Sequence, residues 1–325
     1  MVSGGAGYIG SHTVQALLQR GLKVIVIDSL TTGHRQAVPA QTTFYEADIS
    51  NSELVSQVIR EHKVEAVIHF AARSLVGESM AQPDLYFNEN TAKTNAFVAA
   101  ILRDGVKRLV FSSTAATYGL PEEVPIPEES RTEPINPYGA SKLMIEQSLS
   151  WLEQAYGLRW IALHYFNAAG ASFDGSIGED HRPETHLIPL VLKTALEQRE
   201  AISVFGTDYA THDGTCIRDY IHVVDLAEAH ILALDALDNG SASGVYNVGT
   251  GRGYSVREVI EMAQKVTGVK IPVIQAPRRA GDPDILVAKV DKIARGLGWR
   301  AQYSDLETII STAWKWHKGH PLGYS

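Results

Sequence analysis

Two residues four apart, Tyr138 and Lys142, carry the clearest chemistry in the chain. They lie in Asn136-Pro137-Tyr138-Gly139-Ala140-Ser141-Lys142, and on a helix a phenol and an ammonium at i and i+4 share one face. A tyrosine phenol ionises near pH 10, about three units too high for a base at neutral pH. A neighbouring ammonium, joined by the positive charge of an oxidised redox ring, stabilises the phenolate and lowers that pKa. Alone the pair is weak evidence, because Tyr and Lys also meet by chance on solvated helix faces. It demands that other elements bring a cofactor and a hydroxyl-bearing substrate to the same place.

The first such element is the N-terminal stretch. Gly4, Gly7 and Gly10 stand where a strand turns into a helix running to about Arg20, and Lys23–Asp28 is a β-branched run ending in an acid. Glycines let backbone approach a pyrophosphate, and a helix N-terminus offers free N–H groups with a favourable dipole. Asp28 is placed to accept from a ribose 2′-hydroxyl, and Ser29 and Leu30 give no positive charge for a 2′-phosphate, so NAD is expected over NADP. Only Met1–Ser3 precede the loop, so the first strand is either a stub or continues upstream of this sequence.

Strand and helix patterns then alternate. Short strands are expected at Phe44–Ile49, Ala66–Ala72, Arg108–Thr114 and Arg159–His164. Helices are expected at Ser52–His62 (with a cap at Ser50), along one long stretch from Pro83 to Arg103, and at Tyr138–Tyr156. This order predicts an α/β fold with a doubly wound parallel Rossmann sheet, whose ligands bind beyond the strands' carboxyl ends. Asp28, Asp48, Ala71, Ser112–Thr114 and Phe166 all fall there. His69 reads as a strand histidine with satisfied bonds.

After Asn167 the pattern changes. Ala168–Pro183 reads as a loop. Helices follow at Leu187–Glu197, Val223–Leu237, Ser255–Thr267 (boxed by Glu258) and Leu306–Lys318, with strands at Ser203–Gly206, Gly244–Gly249 and Lys270–Gln275. The expected division is a dinucleotide-binding domain over residues 1–167 and a smaller α/β substrate lobe over 168–325, with some chain crossing between them.

Composition restricts the alternatives. The 325 residues are 45% hydrophobic and 20% charged, enough for a sizeable core, and the net charge of −8 argues against a nucleic-acid or anionic-membrane surface. The single cysteine, Cys216, excludes an internal disulfide and a Cys-based zinc site, and no metal is expected. Neither a signal pattern nor a membrane-length apolar run is present, so a cytoplasmic location is expected.

Taken together, Gly4-x-x-Gly7-x-x-Gly10, Asp28, Asp48-Ile49, Phe70-Ala71-Ala72, Ser112-Ser113-Thr114, Tyr138-x-x-x-Lys142 and Tyr165-Phe166-Asn167 resemble the extended short-chain dehydrogenase/reductases. The late motifs Ile217-Arg218-Asp219-Tyr220-Ile221-His222-Val223 and Pro277-Arg278-Arg279-Ala280-Gly281-Asp282-Pro283 are similar to those of the UDP-hexose 4-epimerase branch, and the resemblance spans the chain. It implies that Tyr138 takes the proton of the sugar C4 hydroxyl while NAD takes the C4 hydride. Lys142 would hold the nicotinamide ribose and lower the Tyr138 pKa, and Thr114 would bridge base and substrate. The keto-sugar then turns, hydride returns to its other face, and NAD stays bound. UDP-glucose and UDP-galactose would be interconverted.

The same resemblance implies cofactor contacts from Gly4, Gly7, Tyr8, Ile9, Gly10, Asp28, Asp48, Ile49, Phe70, Ala71, Ala72, Asn90, Ser112, Tyr138, Lys142, Tyr165 and Phe166. It implies substrate contacts from Thr114, Asn167, His186, Leu187, Arg218, Arg279 and Asp282. Planar arginine forks suit a diphosphate. His164 replaces a common arginine, Ser74 a lysine and His186 an asparagine of some members, and Leu286 takes the position that limits the pocket beside the sugar C2 group. Other UDP-sugars remain open. A dehydratase would carry Asp-Glu after Thr114, where Ala115-Ala116 stands, and a non-catalytic NAD sensor would not need the Tyr–Lys pair. A homodimer is implied through the two long helices, with Phe97, Ile101, Leu149 and Leu152 facing either the partner or the core.

Overall fold

The computed structural model describes residues 1–279 and 282–324; Ala280 and Gly281 of the second late motif lie outside them. β1 (Val2–Ser3) leads into α1 (Tyr8–Gln19), then β2 (Ile25–Asp28), β3 (Thr43–Glu46), α2 (Ser52–His62) and β4 (Val67–His69). Next come α3 (Val76–Ala81), α4 (Pro83–Tyr86), α5 (Lys93–Arg103), β5 (Arg108–Thr114), α6 (Pro137–Tyr156), β6 (Arg159–Tyr165) and β7 (Asn167–Ala169). The remainder is α7 (Leu187–Ala195), β8 (Ile202–Phe205), β9 (Ile217–His222), α8 (Val223–Asp238), β10 (Gly244–Val248), β11 (Gly253–Ser255), α9 (Val256–Thr267), β12 (Val273–Ala276), β13 (Ile285–Leu286), α10 (Asp291–Gly296) and α11 (Leu306–Gly319).

Seven strands form one parallel sheet in the order β10-β6-β5-β4-β1-β2-β3. Alternation along each strand serves two cores. On one face Val26, Ile68, Val110 and Ile161 meet α1 and α8; on the other Ile27, Val67, Leu109, Phe111 and Ala162 meet α2, α5 and α6. A third core gathers α7, α9 and α11 around β8 and β9. β1 is held on both flanks: Val2–Ser3 pair with Val26–Ile27 and with Ile68–His69.

Several boundaries differ from the sequence reading. The expected helix from Pro83 to Arg103 is α4 and α5 joined by a π-helical segment, Phe87–Ala92, which turns buried Asn90 inward. α2 is capped by Asn51, whose side chain accepts from Leu54 N at 3.2 Å, while Ser50 instead gives its N–H to Asp48 Oδ1 at 2.8 Å. Ala168 and Ala169, read as loop, extend β7 alongside β9. The Ser255–Glu258 capping box of α9 is formed. His69 is satisfied, its ring nitrogens lying 2.6 Å from Ser3 Oγ and 3.0 Å from Thr94 Oγ1. Phe97, Ile101, Leu149 and Leu152 all pack into the core with α2 and the sheet, because the inner stripes of α5 and α6 are what cover that face.

Candidate active site

Strand order reverses between β1 and β4, which opens a crevice beyond their carboxyl ends. The glycine loop lies there. Gly4 takes φ +74°, where a Cβ would stand 2.4 Å from Ala71 N; a Cβ on Gly10 would stand 2.1 Å from Gly4 O. These two glycines let the loop close on β4 and on itself. Gly7 is open by comparison, with Gly4 O at 3.5 Å from its Cβ position. α1 begins without a side-chain cap and without an acid in its first turn, so the N–H groups of Tyr8, Ile9 and Gly10 and the helix dipole are left for an anion. Asp28, 7% exposed, accepts from Ala6 N at 2.9 Å and Leu30 N at 2.8 Å. About two of its four lone-pair sites remain for ribose hydroxyls. Burial pushes its pKa up against those two bonds. This donor set fits a dinucleotide such as NAD.

The remaining cofactor candidates divide. Phe70 N and Ala71 N both donate to Ser3 O, at 2.8 and 3.2 Å, which fixes the run into Ala72 beside the loop. Asp48 is partly exposed and paired with Lys93 at 2.6 Å, whereas Ile49 is buried in the core. Tyr165 hydroxyl is hydrogen-bonded to Ser112 Oγ, and Phe166 N donates to Val248 O at 3.3 Å. Tyr8 spends its hydroxyl on Gly170 O at 2.6 Å, tying the loop to the segment after β7. Asn90 is buried between two segments. Its amide is spent on the protein, accepting from Arg73 N at 2.8 Å and donating to Arg73 O and Ser141 Oγ, both at 3.0 Å. It positions the chain after β4 against α6.

α6 carries the reactive pair. Asn136 caps it by accepting from Gly139 N at 2.8 Å, with Pro137 in the first turn. Tyr138 lies beside the Thr114 side chain at the end of β5, whose hydroxyl also accepts from Ala116 N at 3.1 Å. Burial raises the Tyr138 pKa above its usual value, and the Thr114 bond works against that rise. Lys142, buried, donates to Ser112 O at 2.8 Å and lies 5.0 Å from the centre of the Phe111 ring. Burial lowers its pKa to about 7, opposed by the charge of Glu146. The Lys142 ammonium is turned to a strand carbonyl, and burial is the larger influence on the Tyr138 phenol.

A buried brace behind the pair escaped the sequence reading. Glu146, one turn beyond Lys142, is hydrogen-bonded to Ser113 Oγ and to His164 Nε2 (2.7 Å), so it locks α6 to β5 and β6. The signal was present as an acid four residues after Lys142, on the same helix face. His164 fills the arginine position as this carboxylate's partner.

The substrate candidates converge on β9 and its neighbours. Arg218 pairs with Asp282 and donates to Ile217 O at 2.8 Å, and β13 sets Leu286 opposite Arg218. Asn167 Nδ2 donates to Asp219 O at 2.9 Å. Arg279 is exposed, with its guanidinium 4.0 Å from the Phe205 ring centre. Leu187 opens α7. His186, just before it, is taken up by two carboxylates: its Nδ1 is 2.9 Å from both Glu179 Oε1 and Glu184 Oε1. Asp219, also missed, is fully buried and receives Thr250 N (2.8 Å), Thr250 Oγ1 (2.7 Å), Gly251 N and Ala288 N (both 3.1 Å). It clamps β9 to the 249–251 loop and to the chain after β13.

Fold and site define a dinucleotide-dependent enzyme that places a tyrosine, supported by a threonine hydroxyl, between its cofactor loop and an arginine-bearing strand. The chain belongs to the NAD dependent epimerase/dehydratase family, whose model matches residues 1–249. It is 53% identical over 325 residues to a UDP-glucose 4-epimerase of Halalkalibacterium halodurans, covering 100% of this chain and 97% of that one. A crystal structure of a UDP-glucose 4-epimerase superimposes with a TM-score of 0.98 at 50% identity, covering 100% and 98% of the two chains. The UDP-glucose 4-epimerase of Brucella ovis in complex with NAD superimposes with a TM-score of 0.94 at 46% identity, covering 96% of each.

Proposed function

We propose that this protein interconverts UDP-glucose and UDP-galactose. The observation that carries the reading is Tyr138 set beside the Thr114 hydroxyl and buried Lys142, at the edge where the glycine loop meets the lobe of Arg218 and Asp282. NAD, when bound, supplies the acceptor and later the donor for the hydrogen at sugar C4. Tyr138 takes the proton of the C4 hydroxyl through its bond with Thr114 and gives it back when the alcohol re-forms. Lys142, protonated, adds positive charge near the ribose side of the cofactor cradle. Glu146, through Ser113 and His164, holds α6 at the distance this transfer requires. Arg218 and Arg279 are the forks for the diphosphate, and Asp282, released from Arg218 as the phosphates arrive, is the acceptor for a ribose hydroxyl. With Ala115 and Ala116 after Thr114, no second acid or base is at hand for elimination of water, which disfavours a dehydratase.

Among the described residues no helix is long and apolar enough to cross a membrane, and Cys216 is buried and unpaired. A thiol left reduced suits the cytoplasm. The outer face of α6 leaves Met144 46% and Trp151 70% exposed, seven residues apart on one stripe, and this is the surface we assign to a homodimer. A light-scattering mass of one chain would remove that assignment. The reading itself is tested with a panel of UDP-hexoses, UDP-pentoses and UDP-N-acetylhexosamines. UDP-glucose should form from UDP-galactose; its absence in protein shown to hold NAD would refute the proposal. Turnover of the N-acetylated pair reports on Leu286.

A further inference from the structure

The segment entering α7 reads Glu179-Asp180-His181-Arg182-Pro183-Glu184-Thr185-His186, and folding brings its two glutamates and two histidines together. One ligand atom from each of Glu179, His181, Glu184 and His186 lies within 4.8 Å of every other. Nδ1 of His186 is 2.9 Å from Glu179 Oε1 and from Glu184 Oε1; Nδ1 of His181 is 3.1 Å from Glu179 Oε1 and 3.7 Å from Glu184 Oε2. Tetrahedral zinc with bonds of about 2.0–2.2 Å to nitrogen and oxygen needs ligand atoms roughly 3.3–3.5 Å apart. The four observed separations bracket that range.

Hydrogen bonding inside the cluster leaves one oxygen unexplained. The Nδ1 of His186 is hydrogen-bonded to Glu184 Oε1, which also accepts from Thr185 N and His186 N, both at 2.8 Å. Glu184 Oε2 is buried without a hydrogen-bond partner, on a side chain only 3% exposed, and points at His181 from beyond hydrogen-bond range. A cation between the four groups gives that oxygen a partner, since lone pairs converge on a centre where protons cannot. The half-exposed ring of His186 gives the entry path.

We propose that Glu179, His181, Glu184 and His186 form a zinc site. Two imidazoles with two carboxylates match Zn²⁺ better than the all-oxygen shells of Mg²⁺ or Ca²⁺. Its place in the fold gives it a structural role. The Tyr8 ring packs edge-on against His181 at 6.2 Å, His34 Nε2 is 2.9 Å from Asp180 O, and Trp316 Nε1 donates to Glu179 O at 3.2 Å. The ion fastens the chain between β7 and α7 over the glycine loop and fixes where Leu187 starts α7. This inference does not rest on the choice of sugar substrate.

The test uses untagged full-length protein stripped with a chelator and titrated with ZnCl₂ against a competing chromophoric chelator, alongside MgCl₂. Wild type should bind one Zn²⁺ per chain and gain thermal stability from it, with Mg²⁺ giving no comparable effect. His181→Ala and Glu184→Gln should each weaken Zn²⁺ at least about tenfold and abolish the stability gain; Glu184→Gln, which keeps shape, serves if His181→Ala does not fold. Crystals soaked in zinc should show an anomalous peak between the four side chains. Binding well below one per chain, or affinity unchanged in a folded variant, would overturn the site and leave the cluster a set of protonated histidine–glutamate pairs.

Discussion

Asp219 lies at no reacting atom, yet it should control how the sugar nucleotide is held. Its Oδ1 accepts from Thr250 N and Oγ1, and its Oδ2 from Gly251 N and Ala288 N, all between 2.7 and 3.1 Å. In Asp219→Asn an amide oxygen can keep the first pair, but the NH₂ then faces two buried N–H groups. Each bond to the charged oxygen lost with its donor stranded costs about 1–3 kcal/mol. Burial already raises the Asp219 pKa, so the neutral amide recovers part of the desolvation cost, leaving a net loss of about 2–4 kcal/mol. At roughly 2 °C per kcal/mol for a chain of this size, Tm should fall by about 4–8 °C. Because Asp219 ties β9 to the chain after β13, loosening it frees Arg218 and Leu286 while α6 and β5 stay put. KM for UDP-galactose should therefore rise several-fold with NAD content unchanged and kcat within about twofold. Calorimetry and steady-state kinetics on the same preparation check both. A Tm within about 1 °C of wild type, or a loss confined to kcat, would refute the clamp.

Tyr138→Phe should keep the fold and bound NAD but lose at least about 10²-fold in kcat, the scale of removing a general base; near-normal turnover would mean the base lies elsewhere. Thr114→Val removes the bond that opposes the burial-driven rise of the Tyr138 pKa. Since the phenolate is the active form, activity is present above that pKa, and the acid limb of the kcat/KM profile should move to higher pH; an unmoved limb counts against the relay. Gly10→Ala drives a Cβ to 2.1 Å from Gly4 O, so the purified variant should carry little or no NAD by absorbance, even where it folds.

The sheet was readable because its signals are local: a β-branched run at Ile25–Asp28, an apolar stretch opening Arg108–Thr114 and a glycine pattern at the first turn. The π segment at Phe87–Ala92 was not, since it answers a tertiary demand, Asn90 reaching Arg73 and Ser141. Residue identity pointed to Tyr138, Thr114 and Lys142 as a group. The desolvation of Lys142 and its turn toward Ser112 O were not legible, because they arise from packing between α6 and β5. Asp219 hid inside a motif whose arginine drew the eye; its four donors come from segments about 30 and 70 residues away. The Glu-x-His-x-x-Glu-x-His alternation of 179–186 was visible all along, but spacing alone does not say that four side chains converge.

The central claim is an oxidation at C4 that reverses within one active site. UDP-galactose carrying deuterium at C4, incubated with the purified protein and no added cofactor, tests it most directly. UDP-glucose should form with deuterium still at C4 and with no net accumulation of reduced cofactor. Product that has lost its deuterium to solvent, or no product from protein shown to hold NAD, would contradict it.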